Sequence, residues 1–478
     1  MRNNCLIAAL LISTCGTANA AVDDATRKLA RDIFKELIEI NTVDSVGDNT
    51  VAARAMEKRF LAAGFARQDV QVLVPEGHPT KGNLVVRLHG SGKNKPVLLL
   101  GHLDVVEAKR EDWTTNPFEL VEKDGYFYGR GTVDMKDYDA VMVATLLRFK
   151  QTGFVPSRDL ILALTSDEES GPANGAEWLL KNHRALVDAE FVLNGDAGGV
   201  TTVDGKAVEI GVGAAEKLYA DFEFMVTNPG GHSSRPPAEN AIYRLAAALG
   251  RLSASPFPVE LNPVTRSFFG ALAANPGTPG AADLKAILRD PPDSKAIARL
   301  SEDVRYNALL RTTCVATRLN AGHANNALPQ TALAIVNCRI LPGHSPEEIR
   351  KVLVGKVADP KVAVRYINGA TGKVSDLAPG QAGLPPSAPT PAVLKALKTV
   401  SDSLWPGAGV TLNMSTGASD GKYTVAAGIP SFGVGEIAIE RGDERSHGKD
   451  ERVKVASFYE AVDFFDRFVR ALTGGQQP

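Results

Sequence analysis

Short apolar runs in the first 200 residues each lead to a histidine or an acidic residue, and this pattern constrains the fold more than any other feature. The runs cover residues 97–100, 159–165 and 189–193. The residues that follow them are His102 and Asp104, Glu168 and Glu169, and Asp196. Runs that are almost wholly apolar indicate strands buried on both faces. Helical patterns at residues 25–40, 51–63, 136–151 and 175–182 separate these and the other β-rich runs. The alternation predicts an α/β fold, a mainly parallel sheet with helices on both faces, whose strand ends share one ligand-binding edge.

Two further residues extend this set of histidines and acids. Asp134 ends the motif Gly129-Arg-Gly-Thr-Val-Asp134, and His447 lies far downstream. Imidazole nitrogens and carboxylate oxygens without a thiolate suit zinc or a similar first-row divalent ion. Five candidate ligands and a spare glutamate exceed the needs of one tetrahedral ion. They fit two divalent ions, zinc being the best match, that share a carboxylate and leave one glutamate free as a base.

Length and charge limit the class of protein. A chain of 478 residues exceeds one comfortable hydrophobic core, so two domains are expected. The net charge is −2 and 23% of the residues are charged, which gives no reason to expect nucleic acid or an acidic membrane surface as a partner.

The first 20 residues have the pattern of a signal peptide. Arg2 precedes an apolar run over residues 5–14, and Ala18-Asn19-Ala20 is an A-x-A cleavage signature. The apolar run is too short to span a bilayer stably. We expect cleavage after Ala20 and a periplasmic or secreted product that has no membrane partner. A buried N-terminal helix is the alternative, but nothing in this segment is amphipathic.

The pattern of elements changes near residue 218. Residues 218–368 predict strand, helix, two strands, helix and strand, an α+β ferredoxin-like order. We expect a catalytic domain in two parts, 21–217 and 392–478, with the ferredoxin-like domain inserted between them and a linker over 369–391. An extra insert over 255–307 is either partly helical or a mobile arm. Cys314 and Cys338 either form a disulfide in an oxidising compartment or are two small buried apolar residues.

Six motifs occur in an order that is typical of one family. They are Gly101-His-Leu-Asp104, Gly129-Arg-Gly-Thr-Val-Asp134, Asp167-Glu-Glu-Ser-Gly171, Gly230-Gly-His-Ser-Ser-Arg-Pro236, Asn326-Ala-Leu-Pro329 and Ser446-His447. The chain thereby resembles the co-catalytic di-zinc metallopeptidases and amidohydrolases, which include carboxypeptidase G, carboxypeptidase S, aminoacylase, acetylornithine deacetylase and succinyl-diaminopimelate desuccinylase. Residues 113–118 and 126–131 look most like the carboxypeptidase S branch, which includes secreted N-acyl amino acid hydrolases.

Carboxylate chemistry and the resemblance assign the metal ligands. Asp134 would bridge the two ions, since one carboxylate can bind two ions through separate oxygens. His102 and Asp196 would complete one ion, and Glu169 and His447 the other.

The remaining residues near the ligands receive catalytic roles. Asp104 would accept the second N–H of the His102 imidazole. Glu168 would be the general base that takes a proton from a metal-bridged water and delivers it to the leaving nitrogen. The resemblance also implies a cis peptide bond between Asp134 and Met135.

The inserted domain supplies further candidates by resemblance. His232 would stabilise the oxyanion, often from the partner subunit of a dimer. Arg339 and Asn326 would bind the substrate, and Arg339 would bind the substrate's carboxylate. Asn337 departs from the aspartate that is usual in this strand. The loop at residues 417–422 resembles a substrate-binding loop. The resemblance also implies a homodimer through the inserted domain, which would act as a lid.

Together these features indicate an enzyme that hydrolyses the amide bond of a peptide or N-acyl amino acid and releases a free amino acid. A dedicated N-deacylase of one metabolite, such as a desuccinylase, is the alternative enzyme. A non-catalytic binding protein on the same scaffold is the alternative from another class.

Overall fold

The computed structural model describes residues 21–92, 94–274, 278–369, 371–435 and 437–476, so the predicted signal peptide over 1–20 lies outside the described residues. The helices are α1 (Asp24–Glu39), α2 (Asn49–Ala62), α3 (Lys136–Gln151), α4 (Gly175–Asn182), α5 (Arg184–Val187), α6 (Ala241–Ala254), α7 (Pro263–Ala274), α8 (Ala281–Ile287), α9 (Ser294–Leu300), α10 (Val304–Leu310), α11 (Pro346–Val357), α12 (Pro391–Leu404), α13 (Gly421–Ala426) and α14 (Val455–Thr473). The strands are β1 (Val70–Leu73), β2 (Asn83–Leu88), β3 (Asn94–His102), β4 (Val121–Lys123), β5 (Tyr126–Tyr128), β6 (Val155–Pro156), β7 (Arg158–Thr165), β8 (Phe191–Asn194), β9 (Gly199–Val203), β10 (Lys206–Glu216), β11 (Leu218–Thr227), β12 (Gly231–His232), β13 (Thr313–Ala321), β14 (Ala327–Leu328), β15 (Thr331–Ile340), β16 (Ala363–Ile367), β17 (Val374–Ser375), β18 (Gly409–Ser415), β19 (Ser431–Val434), β20 (Ala438–Glu440), β21 (Arg452–Lys454) and β22 (Gly475–Gln476).

The large sheet has the strand order β1-β2-β7-β3-β8-β19-β10-β9-β20, with β18 beside β10. Strands β7, β3, β8 and β19 run parallel to one another, and antiparallel pairs join β1, β2, β10 and β9 to them. The predicted mainly parallel sheet is confirmed at its centre. The parallel strands are the ones that lead to His102, Glu168 and Asp196, so their carboxyl ends lie at one edge.

Strand β3 contributes side chains to both faces of this sheet. Val97 and Leu99 belong to the core that helices α1, α3 and α14 form on one face. Leu98 and Leu100 belong to a separate core with Leu179 of α4 on the other face. Successive side chains of a strand point to opposite faces. The unbroken apolar run is therefore explained by burial on both sides.

A second sheet has the order β13-β15-β11-β16-β17 and is antiparallel. Its first four strands have the predicted ferredoxin-like arrangement, and α6 and α11 cover one face around Phe222 and Phe224. Cys314 of β13 lies opposite Cys338 of β15, and the two form a disulfide. The pairing resolves the two alternatives that the sequence left open.

The extra insert contains helices α7 to α10. Phe268, Phe269 and Leu284 of these helices pack in a core that includes Met414 of β18. The insert is therefore a helical layer on the large sheet, the first of the two alternatives. Strands β9, β10, β18 and β20 were not predicted from the sequence.

No helix among the described residues is long and apolar enough to cross a membrane.

Candidate active site

The candidate ligands meet at the carboxyl edge of the parallel strands. His102 is the last residue of β3, Glu169 follows β7, and Asp196 follows β8. Asp134 lies just before α3, and His447 lies in the loop between β20 and β21. Because parallel strands end at one edge, three of the five residues are brought together by the sheet itself. The other two arrive on loops.

The first group of ligand atoms is formed by His102, Asp134 and Asp196, whose nitrogen and carboxylate oxygens lie within 4.8 Å of one another. Nε2 of His102 is 3.2 Å from Oδ1 of Asp134. His102 is buried, and the two acids are partly buried. The group can hold one cation.

The second group is formed by Asp134, Glu169 and His447 and meets the same 4.8 Å limit. Nε2 of His447 lies 3.1 Å from Oδ2 of Asp134 and 2.9 Å from Oε1 of Glu169. Asp134 thus belongs to both groups and turns a different oxygen toward each histidine. The peptide bond between Asp134 and Met135 is cis, as the resemblance implied.

Two buried atoms of this site support a metal. Nε2 of His102 and Oδ1 of Asp134 have no hydrogen-bond partner among the described residues, although they lie only 3.2 Å apart. The pair is close enough for an ion contact but is not aligned as a hydrogen bond. Buried polar atoms are rarely left unpaired in proteins. Nitrogen and carboxylate donors that converge without pairing fit a divalent cation.

The charges of the site also support a bound cation. Hydrogen bonds to Asp134 and Glu169 raise the pKa of His447 to about 10. Burial tends to lower the pKa of His102, but Asp134 and the neighbouring acids raise it well above its ordinary value. Burial and the neighbouring carboxylate of Asp134 both raise the pKa of Asp196 well above its ordinary value. The acids therefore create a field that attracts positive charge, which a divalent ion would satisfy.

Glu168 belongs to neither ligand group. Burial raises the pKa of its carboxyl to about 8, so this group accepts a proton more readily than an exposed glutamate does. Its side chain lines the cavity beside the site. A carboxyl near the ligands that is free of them can serve as a general base.

Asp104 differs from its predicted contact. Nδ1 of His102 lies 3.0 Å from the main-chain oxygen of Asp104 and 3.8 Å from its carboxylate oxygen. The carboxylate instead accepts the main-chain N–H groups of Glu168 at 3.1 Å and Glu169 at 2.9 Å. The predicted hydrogen bond from the imidazole to this carboxylate is therefore wrong, because the carboxylate accepts two N–H groups of the loop that follows β7.

A cavity of about 680 Å³ opens beside Glu168 and extends to the second sheet. Its far wall includes Tyr219, Tyr366 and Ile367 of that sheet. Residues 379 and 381–385, which the sequence assigned to a linker, also line it. This segment binds the loop before α11, since the main-chain N–H of Gly383 donates to the main-chain oxygen of His344 at 2.8 Å.

The three candidates from the second sheet's region make their contacts with residues outside the ligand groups. His232 is exposed and its Nδ1 accepts the N–H of Ser234 at 3.2 Å. Asn326 is also exposed, and its main-chain oxygen accepts the N–H of Ser233, so it lies beside His232. Arg339 packs over the ring of Tyr219, with 4.8 Å from its guanidinium carbon to the ring centre. Within the described residues, no hydrogen bond or ion pair joins these side chains to the ligands.

Two acids near the cavity, the partly buried Glu216 and the buried Asp420, were not predicted from the sequence. Glu216 ends β10 and accepts the N–H of Ser419 at 3.0 Å. Asp420 accepts hydrogen bonds from Thr165 at 2.9 Å and from Asn174 at 2.6 Å. Burial raises the pKa of both acids. The resemblance of the loop at 417–422 was the one signal available, and it gave no individual roles.

Known proteins are similar to this chain in sequence and in fold. A family profile described as Peptidase family M20/M25/M40 matches residues 98–471. The N-fatty-acyl-amino acid synthase/hydrolase PM20D1 of Xenopus tropicalis is 28% identical over 458 residues, which are 93% of this chain and 86% of that protein. The probable carboxypeptidase S-like 2 of Dictyostelium discoideum is 30% identical over 386 residues, which are 79% of this chain and 71% of that protein.

A solved structure supports the fold independently. The M20 family metallo-carboxypeptidase Sso-CP2 of Sulfolobus solfataricus superposes with a TM-score of 0.68 and covers 95% of this chain and all (100%) of its own. The identity is 17%, so the likeness concerns the fold alone.

Proposed function

The chain belongs to the peptidase family M20/M25/M40, and on that premise we propose that it is a two-metal amidase that releases a free amino acid from a peptide or an N-acyl amino acid. Two groups of ligand atoms share Asp134, while the carboxyl of Glu168 belongs to neither group and lines the adjoining cavity. This arrangement supports the proposal most directly, because it offers both a cation site and a base.

The five ligand residues would hold the ions in two sets. His102 and Asp196 would bind one ion with Oδ1 of Asp134, and Glu169 and His447 would bind the other with Oδ2 of Asp134. Zinc is the ion that this set of nitrogen and oxygen donors suits best. Bound there, the ions would supply the positive charge that activates a water and polarises the substrate carbonyl.

Glu168 would move the proton. Its carboxylate takes a proton from the attacking water as the new C–O bond forms, and the carboxyl then gives that proton to the nitrogen as the C–N bond breaks. Asp104 would hold the base in place, since its carboxylate binds the N–H groups of Glu168 and Glu169. We assign Asp104 a positioning role on this ground.

The cavity supports a substrate that has an apolar acyl group. Tyr366, Ile367 and Leu384 contribute apolar surface to its wall. We propose that Arg339 and Asn326 bind the amino-acid carboxylate when the second sheet closes over the site. Lys422 also lines the cavity and favours the second candidate, a deacylase whose acyl group carries its own carboxylate, such as succinyl.

A substrate screen tests these alternatives. Purified zinc-loaded protein is given one amino acid carrying a dodecanoyl, an acetyl or a succinyl group, and a dipeptide of the same amino acid. We expect the dodecanoyl compound to be hydrolysed with the highest kcat/KM, measured as free amino acid released. Preference for the succinyl compound would favour the dedicated deacylase. Release from none of the four, with two ions bound, would favour the non-catalytic binding protein.

We propose that residues 218–368 form a lid and dimerisation domain between the two parts of the catalytic domain, 21–217 and 392–478. Strand β13 is one of the two outer strands of the second sheet, and Val315 and Leu319 on it are 60% and 67% exposed. An outer strand with unpaired main-chain groups and exposed apolar side chains readily pairs with another chain. A second copy of this chain is the partner that we propose.

His232→Ala should fold normally, keep both ions and lower kcat by roughly 100-fold, the usual effect of losing one oxyanion donor. His232 is exposed and, among the described residues, its side chain hydrogen-bonds to Ser234 and to no candidate ligand, which supports donation to the site of the partner subunit. The measurement is kcat together with metal content.

Mixing experiments then decide which chain donates. His232→Ala and Glu168→Gln proteins are each expected to be nearly inactive, and mixed dimers of the two should regain part of the activity. Unchanged kcat in His232→Ala would refute the oxyanion role. Lost kcat without recovery on mixing would assign His232 to its own chain's site.

We propose that the protein is exported, since residues 18–20 carry a cleavage signature and a disulfide joins Cys314 and Cys338. The intact mass of the exported protein should match a chain that begins at Ala21 and should be about two hydrogens below the reduced form. Cys314→Ser protein is the control and should not change mass in this way on reduction. An uncleaved product retained in the cytoplasm would contradict the export proposal.

A further inference from the structure

One buried ion pair joins the two loops that carry Asp134 and His447. The guanidinium Nη1 of Arg130 contacts Oε2 of Glu451, and the two side chains are 3% and 0% exposed. Arg130 lies four residues before Asp134, and Glu451 lies four residues after His447. The pair therefore joins the loop before α3, which carries Asp134, to the loop between β20 and β21, which carries His447.

Each partner also holds the main chain beside a ligand. Oε1 of Glu451 accepts the N–H of Val133 at 2.7 Å and the N–H of Asp134 at 3.2 Å. Nη2 of Arg130 donates to the oxygen of Gly448, the residue after His447, at 2.9 Å. Each loop is thus anchored by a side chain of the other loop.

The segment that carries Trp113 and Thr114 packs against the ion pair and the His447 loop. Arg130 packs against the ring of Trp113, with 5.1 Å from the guanidinium carbon to the ring centre, and Trp113 is itself buried. Thr114 binds the carboxylate of Asp450 from the same loop through its N–H, at 2.8 Å. A buried ion pair is weak evidence for stability, because desolvation offsets much of its attraction. The contacts of this pair indicate instead that it positions the two loops that carry Asp134 and His447.

We propose that Arg130 and Glu451 are positioning residues that set the separation of Asp134 and His447 and so control the affinity of the second ligand group for its ion. This inference depends on the proposed two-metal function. It concerns how tightly this chain's own residues hold the second ion, so metal binding can test it without any substrate.

The test is zinc titration of metal-free Arg130→Lys protein, with kcat measured at low and high zinc. Lysine keeps the positive charge, but a single ammonium cannot contact Glu451 and the Gly448 oxygen in the forked geometry of a guanidinium. We expect the first ion to bind as in the wild-type protein and the second to bind about 10- to 100-fold more weakly, the usual effect of losing a group that orients ligands. Excess zinc should recover most of kcat.

Glu451→Gln is the second variant and covers the case in which Arg130→Lys does not fold. Its amide oxygen can still accept the two N–H groups, but the ion pair is lost, so weaker binding of the second ion is again expected. Arg148→Lys is the matched control, because Arg148 pairs with Asp466 at 2.6 Å between α3 and α14 and contacts no candidate ligand. The control should bind both ions as the wild-type protein does.

Wild-type affinity for both ions in Arg130→Lys and Glu451→Gln would overturn the proposal, even if the melting temperature of the metal-free proteins fell. That result would leave the pair with a purely structural role. If the wild-type protein itself bound fewer than two ions, the proposed two-metal function would fail instead, so the two failures are distinguishable.

Discussion

Glu168→Gln protein should bind the same ions as the wild-type protein and lose about 10²- to 10⁴-fold in kcat. The carboxyl of Glu168 belongs to neither ligand group, so an amide in its place leaves the cation site unchanged. An amide cannot take the proton from water, and the leaving nitrogen would have no acid to protonate it. The measurements are metal content and the rate of amino acid release.

Glu190→Gln is the matched control for this substitution. Glu190 is exposed beside β8, where it pairs with Arg158, and should give wild-type kcat. A Glu168→Gln protein that hydrolyses substrate near the wild-type rate would show that another group is the base. Loss of metal in the same variant would show that Glu168 is a ligand.

Asp134→Ala protein should bind neither ion tightly and should lose more activity than any other single ligand variant. Asp134 is the one residue common to both ligand groups, and it contributes a different oxygen to each. Losing the positive charge that polarises the carbonyl removes several kcal/mol of stabilisation, so we expect a loss of about 1,000-fold or more. Metal content and kcat report the result.

His447→Ala provides the comparison within the site, because His447 belongs to the second group alone. It should keep one ion while Asp134→Ala keeps neither. Asp402→Ala removes an exposed acid that pairs with Lys398 on α12, and it should change neither quantity. Full metal content in Asp134→Ala would contradict the bridging role.

Local patterns were enough to predict about half of the described helices and strands. Helices α3 and α4 begin and end where the helical patterns at 136–151 and 175–182 placed them. Strand β3 was recognised from its apolar run, which two separate cores explain. Strands β9 and β18 lack such a run, and β18 depends on pairing with β10, more than 190 residues away, so a local pattern could not reveal it.

The site could be anticipated in its residue types but not in all its contacts. His102, Glu169 and Asp196 were proposed as ligands because histidine and acids at strand ends are typical of metal sites, and Asp134 and His447 were proposed from their residue type and the resemblance. The contact of Asp104 was predicted wrongly, since spacing along the chain placed its carboxylate near His102. In the fold this carboxylate accepts hydrogen bonds from the main-chain N–H groups of Glu168 and Glu169.

The sequence by itself determined the α/β alternation, the candidate ligands and the free glutamate, because these depend on each residue's chemistry and its near neighbours. Only the tertiary structure decided which groups meet. His447 reaches Glu169 across 278 residues, and Arg130 reaches Glu451 across 321. Such contacts depend on how loops pack at the edge of a sheet, and a side chain there binds whichever partner the packing brings within hydrogen-bond distance.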